Sequence, residues 1–127
     1  MIKKITLIDV IQKEILFNGD VQIEPLKNEG TLYIFGNQER MYTWKVWKNG
    51  MIIKSEADYI LELTLRLNNT TKGHIETEFG TIDLKCRTTL YKINENCIEV
   101  QYMLNEDINQ LFHFILEMDK EENYAIH

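Results

Sequence analysis

The chain has 127 residues, 44% of them hydrophobic, and its 14 Lys and Arg residues against 20 Asp and Glu residues give a formal charge of −6. This length suits a single domain spanning residues 1–127, and the composition is that of a globular protein rather than of a disordered or disulfide-rich chain. The negative charge argues against nucleic acid and anionic membranes as partners, because both would repel the protein.

The N-terminal residues do not predict export. The apolar run at residues 5–8 is too short for the core of a signal peptide, and no stretch reaches the roughly 20 apolar residues of a membrane-spanning helix. Cys86 and Cys97 are expected on one hairpin, opposite Met103 and Lys92 respectively, and therefore at different heights. Both thiols are predicted to be free, which together with the missing export signal predicts a cytoplasmic protein.

The first segment, residues 3–17, fits two patterns. A helix would place Ile5, Ile8 and Ile15 on one stripe, whereas a strand would place Ile5, Leu7 and Ile11 on one face. The spacing alone leaves both structures open.

Alternation of apolar and polar residues begins clearly at Tyr42. Tyr42, Trp44 and Val46 face one way, and the residues between them face the other, which predicts a half-buried strand. The dipeptide Asn49-Gly50 predicts a type I′ turn to a second antiparallel strand. Weaker turn signals occur at residues 18–20, 28–30, 36–37, 72–73 and 79–80.

The second half of the chain continues the alternation. Three further runs place apolar or small residues on one face: Leu61, Leu63, Leu65 and Leu67; Ile82, Leu84, Cys86, Thr88 and Leu90; and Ile98, Val100, Tyr102 and Leu104. The last two runs are joined by the polar residues 94–96. With the turn signals, this predicts an all-β domain of about eight to ten short strands, at a spacing typical of barrels and sandwiches.

The last apolar segment, residues 107–119, is again ambiguous. Ile108, Leu111 and Ile115 fit a helical stripe, whereas Phe112, Phe114, Leu116 and Met118 fit one face of a strand.

Four features occur between Tyr59 and Glu117: the turn at residues 77–84, Thr88, the strand at residues 98–104 and the alternating apolar tail. Through them this part of the chain resembles the YwiB-like family of uncharacterised bacterial proteins. The resemblance implies a calycin-like, lipocalin-like antiparallel β-barrel, and it favours strands for both ambiguous segments. It implies no catalytic activity.

Aromatic residues give the clearest indication of a binding site. Tyr33, Phe35, Tyr42, Trp44, Trp47 and Tyr59 fall on neighbouring predicted strands, so some of them would face the interior of a closed barrel. The candidate ligand-binding residues are Tyr33, Tyr42, Trp44, Tyr59 and Arg66. Arg66 would pair with a ligand carboxylate if it faced inward, but its alternation with the leucines favours the outer face. The interior is either an open lumen or a core filled by its own side chains.

Other catalytic and metal-binding patterns are weak. His74, Glu76 and Glu78 share one strand face, with Glu76 expected opposite Asp83 and His74 opposite Lys85. One histidine is few for a zinc site, so a solvated polar face is the preferred interpretation. His113 is expected to be a packed or edge histidine, and Ser55 lacks the sequence context of a nucleophile. We expect no catalytic residues, metal or cofactor.

Two functions follow as hypotheses. The first is a non-catalytic barrel that binds a small apolar or amphipathic molecule in its lumen. The alternative is an interaction module with a packed barrel that binds a protein partner or a second copy of itself. A connected apolar pocket would favour the first function, and a filled interior the second.

Overall fold

The computed structural model describes residues 3–119, which form a closed barrel of ten antiparallel strands. Each strand pairs with its neighbours in the chain, and the first also pairs with the last. The strands are β1 (Lys3–Asp9), β2 (Glu14–Leu26), β3 (Gly30–Gly36), β4 (Met41–Trp47), β5 (Gly50–Glu56), β6 (Ile60–Arg66), β7 (Thr70–Thr77), β8 (Gly80–Asn94), β9 (Cys97–Leu104) and β10 (Leu111–Met118). The predicted all-β barrel is confirmed.

The connections alternate between the two ends of the barrel, because every strand is antiparallel to the next. The upper end carries the loops at residues 10–13, 37–40, 57–59, 78–79 and 105–110. The lower end carries the tighter turns at residues 27–29, 48–49, 67–69 and 95–96. Within residues 3–119 no helix is long and apolar enough to cross a membrane.

The core consists of alternate residues from every part of the barrel. β4 buries Trp44 and Val46, as predicted, and β9 buries all four of its predicted inward residues, Ile98, Val100, Tyr102 and Leu104. Period-two alternation directs these side chains inward, where they share one hydrophobic core.

Both ambiguous segments form strands, as predicted, but the first is not continuous. β1 ends at Asp9, and residues 10–13 turn the chain into β2, with Lys13 at a φ of 56°. The Asp9 carboxylate accepts the backbone N–H of Gln12 (3.0 Å), which stabilises this turn. The end of the chain, β10, directs Phe112, Phe114 and Leu116 towards the core, after a single turn of 3₁₀ helix at Ile108–Gln110.

The Asn49-Gly50 signal predicts the right hairpin with the wrong turn. Trp47 pairs with Gly50, so the two turn residues are Lys48 and Asn49, and Gly50 is the first residue of β5. Gly50 has no left-handed φ, which excludes the type I′ geometry predicted for it. A Cβ atom at Gly50 would lie 2.6 Å from the carbonyl oxygen of Leu65, so glycine is required here by the close approach of β6.

Two other glycines predicted to mark turns lie inside strands. Gly19 is in β2, where a Cβ atom would lie 2.9 Å from the Phe17 ring. Gly73 is in β7, where a Cβ atom would lie 2.5 Å from Cδ2 of Leu63 on β6. Turn predictions at residues 18–20 and 72–73 are therefore wrong, because these glycines make room for neighbouring side chains.

A bulge in β8 changes which of its residues face inward. Leu84, Cys86 and Thr88 are buried as predicted, but the pairing with β9 shifts between Thr88 and Leu90. The shift brings Tyr91 rather than Leu90 into contact with the core. The Tyr91 hydroxyl lies 2.5 Å from the carbonyl oxygen of Trp47 and 2.9 Å from that of Gly50, which helps to close the lower end.

Three details of the predicted strand faces and register are also corrected. Ile82 and Leu67 are exposed, because Ile82 lies near the start of β8 and Leu67 follows the end of β6. In the β8–β9 hairpin, Cys86 lies opposite Leu104 and Cys97 opposite Asn94, since the turn is only two residues long. Both thiols are free, as predicted, and burial raises the pKa of Cys86 to about 11.

Candidate functional site

A pocket of about 260 Å³ opens at the upper end of the barrel. Its walls come from β1, β2, β4, β5, β6, β9 and β10 and from the loop at residues 37–40. The lining residues are Leu7, Leu16, Arg40, Tyr42, Trp44, Ile53, Ser55, Leu61, Tyr102, Leu104, Phe112 and Phe114. All except Arg40 and Ser55 are apolar or aromatic, so the pocket is suited to an apolar group.

Aromatic stacking holds two sides of this pocket. On one side the Phe112 ring stacks on Tyr102, with centroids 5.4 Å apart, and lies nearly parallel to Phe114. Across the barrel the Tyr42 ring stacks on Phe35 at 5.0 Å. Pairs of this kind stabilise a fold beyond the area they bury, so the walls are held in place without a ligand.

The polar part of the pocket is formed by Arg40 and Ser55. Tyr42 pairs directly with Ser55 across β4 and β5, and Arg40 precedes Tyr42 by two residues, so the three side chains share one inward face. Nη1 of Arg40 donates a hydrogen bond of 2.9 Å to Oγ of Ser55, which is only 5% exposed. The guanidinium group is thereby held, half-buried, at the wall of the pocket.

The loop that carries Arg40 is fixed by its own hydrogen bonds. The Asn37 side-chain oxygen accepts the backbone N–H groups of Glu39 (2.9 Å) and Arg40 (3.1 Å), and the Asn37 N–H donates to the Arg40 carbonyl (2.9 Å). Gly36 begins the loop at a φ of 132°, a conformation that L side chains rarely adopt. The position of Arg40 therefore depends on a glycine and an asparagine.

The Arg40 guanidinium group has no carboxylate within 4 Å among residues 3–119. Among the residues that line the pocket, Tyr42 is close enough to be affected by its charge. Burial raises the pKa of the Tyr42 phenol, while the positive charge of Arg40 offsets part of this rise and Tyr59 adds to it. Arg40 is thus a half-buried cation beside a neutral phenol.

The predicted binding residues fall into three groups. Tyr42 and Trp44 line the pocket, whereas Tyr59 does not; it lies in the upper loop at residues 57–59, is 39% exposed and is close enough to affect Tyr42 electrostatically. Tyr33 is buried in the core but does not line this pocket. Arg66 is exposed on the outer face at the lower end, which is the preferred one of its two predicted placements.

Sequence reasoning missed the arginine that does face the interior. Arg40 is in phase with Tyr42, Trp44 and Val46, so the same alternation that predicts the strand could have identified it. Phe112 and Phe114 were also missed as pocket residues. Their spacing fits one face of a strand but leaves the helical alternative open.

The predicted polar face of His74 has a different register from the one expected. His74 lies opposite Asp83 and Glu76 opposite Thr81, because the hairpin turn consists of Glu78 and Phe79. Nε2 of His74 lies 3.2 Å from Oε1 of Glu76. No cluster of three or more potential metal ligands occurs in the described part of the chain.

His113 is a half-buried histidine, in agreement with the structural role predicted for it. It lies on β10 beside β9, and its Nε2 is 2.6 Å from Oε2 of Glu99. Its neighbours Phe112 and Phe114 point to the core, so alternation places His113 on the outer face, away from the pocket.

Comparison with known proteins supports the fold. No family model matches the chain, and no curated protein matches its sequence. Among solved structures, the chain is similar to the crystal structure of the ywiB protein from Bacillus subtilis. The TM-score is 0.66, the alignment covers 95% of this chain and 89% of that chain, and 13% of the residues are identical. The two chains therefore share a fold, in agreement with the resemblance seen in the sequence.

Proposed function

We propose that the protein is a non-catalytic binding barrel that holds one small amphipathic molecule in its upper pocket. The observation that carries this proposal is the aromatic pocket of about 260 Å³ with a single charged side chain, Arg40, in its wall. An apolar cavity of roughly 150 Å³ is large enough for benzene, whereas typical ligand pockets begin at about 300 Å³. The pocket therefore suits a single ring or a short alkyl chain rather than a large lipid.

The partly filled interior explains this size. The Tyr91 hydroxyl reaches the backbone carbonyls of Trp47 and Gly50 at the lower end, where Trp47 also packs on Gly30, and Tyr33 is buried in the core. The pocket lies at the opposite, upper end. The resemblance also implies a calycin-like barrel, and we include that relationship in the proposal.

The chemistry of the pocket favours binding over catalysis. Its lining includes no histidine, cysteine, lysine or carboxylate among the described residues, so it lacks an evident general base. Ser55 contacts Arg40 rather than a base, and burial raises the pKa of Tyr102, which keeps its phenol neutral. A reducing cytosol would suit the two free thiols, and we propose that location.

Titration with 1-octanol tests the proposal, because this molecule has an apolar chain of suitable length and a neutral head. We expect saturable binding in the micromolar to millimolar range, as is usual for so small a ligand. NMR shifts should change at the Trp44 indole and at the methyl groups of Leu61 and Leu104.

Leu61→Trp should fill the pocket and abolish these shift changes. The matched control is Ile93→Trp, which adds the same ring to an exposed position near the lower end and should leave binding intact. Shift changes that do not saturate, or that survive in a folded Leu61→Trp protein, would refute the proposal.

The alternative function, docking of a protein partner, is supported by a different observation. Eight large apolar residues are exposed around the upper end, whereas few are exposed at the lower end. We call this group the apolar collar; its members are Ile11, Ile15, Leu16, Met41, Tyr59, Phe79, Ile82 and Ile108. The side chain of Phe79, at the tip of the β7–β8 hairpin, is extreme at 92% exposed.

Charges around the apolar collar indicate which partner would fit. The upper loops contain more acidic than basic residues: Glu39, Asp58, Glu78, Glu106 and Asp107 against Lys13 and Arg40. A second copy docked by the same end would meet the same negative charge, so the collar suits a basic amphipathic segment of another protein.

This alternative is tested with an amphipathic Lys/Leu peptide and a matched Glu/Leu peptide. The first should shift amide signals at Phe79 and Ile108, the second should not, and Phe79→Ser should weaken binding more than Ile93→Ser at the lower end. Equal responses to both peptides would exclude a charge-selective docking site.

A further inference from the structure

We infer that the upper pocket selects ligands with a carboxylate head group, which Arg40 binds at the mouth while the apolar body lies against the aromatic walls. This inference rests on the proposed binding function and adds the chemical class of the ligand. It is carried by the juxtaposition of an aromatic pocket and a guanidinium group that has no carboxylate partner within residues 3–119.

Arg40 can form more hydrogen bonds than the one it donates to Ser55. A guanidinium group has five N–H donors in a planar fork, and Nη1 of Arg40 donates to Oγ of Ser55. With no carboxylate of residues 3–119 within 4 Å, the fork has no anionic partner in the described part of the protein. Because Ser55 accepts from Arg40, its own hydroxyl proton can be donated to a ligand as well.

Placing the positive charge of Arg40 beside the apolar pocket costs hydration free energy. A half-buried cation beside apolar side chains loses hydration, and an anion that binds it through two parallel hydrogen bonds compensates for that loss. A neutral head group would accept hydrogen bonds without neutralising the charge. The pocket should therefore bind a carboxylate more tightly than an alcohol with the same chain.

Acidic residues near the mouth of the pocket limit the number of negative charges on the ligand. Glu39, Glu56 and Asp58 line the groove that leads to Arg40 and Tyr42. They lie in the outer part of the site, where solvent and salt screen a single negative charge in part. They would repel a highly charged anion such as a nucleoside triphosphate, so the ligand that fits best is a monoanion with an apolar body.

The orientation of the ligand follows from the order of the side chains. Arg40 is in the upper loop, and Tyr42 and Trp44 follow it down the barrel on β4 at two-residue intervals. Phe112 and Phe114 follow the same descent on β10. The head group would be bound at the mouth, with the chain directed inward between Trp44 and Phe114.

The test compares octanoate with 1-octanol, which differ mainly in the head group. For the wild-type protein at pH 7, isothermal titration calorimetry should show that octanoate binds about tenfold more tightly, the size expected for one charge-assisted interaction. Octyl phosphate should bind no better than octanoate, and octylamine should bind more weakly than 1-octanol because Arg40 repels it.

Arg40→Gln should bring the dissociation constants of octanoate and 1-octanol to within about twofold of each other. Arg66→Gln is the matched control, since it removes the same charge from the outer face and should leave the tenfold difference unchanged. Arg40→Lys keeps the charge without the planar fork and should retain part of the preference. Melting temperatures of all three variants establish that they are folded.

The outcomes separate this inference from the proposed function. Equal binding of octanoate and 1-octanol by the wild-type protein would overturn the inference and leave the binding function intact. A preference for octanoate that persists in a folded Arg40→Gln protein would overturn it too, because another group would then bind the head. Failure of both ligands to bind would overturn the proposed function itself.

Discussion

Trp44→Ala should lower the free energy of unfolding by about 3–5 kcal/mol, because the largest fully buried side chain of the barrel is removed and a cavity is left. Trp44 is 1% exposed and pairs with Tyr33 on one side and Ile53 on the other. Its ring also contacts Phe35, at a centroid distance of 6.4 Å. Although Trp44 lines the pocket, most of its surface contacts protein, so a loss of only about 1 kcal/mol, typical of a residue at an open lumen, is not expected.

Chemical denaturation monitored by far-ultraviolet circular dichroism measures this loss. Trp47→Ala is the control on the same strand, with the side chain out of phase. The Trp47 indole is half-buried, covers Gly30 and donates from Nε1 to the Lys27 carbonyl (2.9 Å), so about 1–2 kcal/mol should be lost. Equal losses of unfolding free energy at both positions would contradict the placement of the Trp44 side chain inside the barrel and of the Trp47 side chain half-buried at its lower end.

The fold was largely predictable because alternation reports directly on which residues face inward. Runs such as Ile98 to Leu104 have a clear period of two, and in a closed barrel one face of every strand is buried. Local spacing cannot report where a neighbouring strand approaches. It therefore predicts turns at Gly50 and Gly73, whereas in the structure both glycines allow β6 to approach closely, at Leu65 and Leu63 respectively.

The bulge in β8 could not be predicted from the alternation of apolar and polar residues either. Thr88 and Leu90 continue a perfect alternation in the sequence, yet the inward position passes to Tyr91. The cause lies outside the strand, since the Tyr91 hydroxyl reaches the backbone carbonyls of Trp47 and Gly50, more than 40 residues away. Nothing in the sequence around residue 90 records that long-range contact.

The candidate site was only half predictable for a related reason. Alternation indicates that Tyr42 and Trp44 face inward, and Tyr33 is predicted on a neighbouring strand. Neither observation decides which residues reach the pocket, because Tyr33 pairs directly with Trp44 and yet only Tyr42 and Trp44 line it. Arg40 has the right phase, but it lies in a loop, beyond the strand in which the alternation occurs.

Gly36→Ala should be the most damaging single-methyl addition near the pocket. Gly36 has a φ of 132°, and a Cβ atom there would lie 2.3 Å from the carbonyl oxygen of Arg40. We expect the strain of this φ to cost about 1–3 kcal/mol, and the clash to add about 1–3 kcal/mol more unless the loop moves. Because that carbonyl belongs to Arg40, relief of the clash would displace the guanidinium group from Ser55.

Gly80→Ala separates the strain of the positive φ from the clash with a neighbouring atom. Gly80 has almost the same φ, 130°, with no atom within 4 Å of the added Cβ. This variant should show the cost of the φ alone, and it should leave ligand binding unchanged. Thermal and chemical denaturation of both variants measure stability, while the octanoate titration measures the effect on the site. If Gly36→Ala costs no more than Gly80→Ala and keeps the preference for octanoate over 1-octanol, the loop does not hold Arg40 in place. In that case the hydrogen bond from Arg40 to Ser55 alone would determine where the guanidinium group lies.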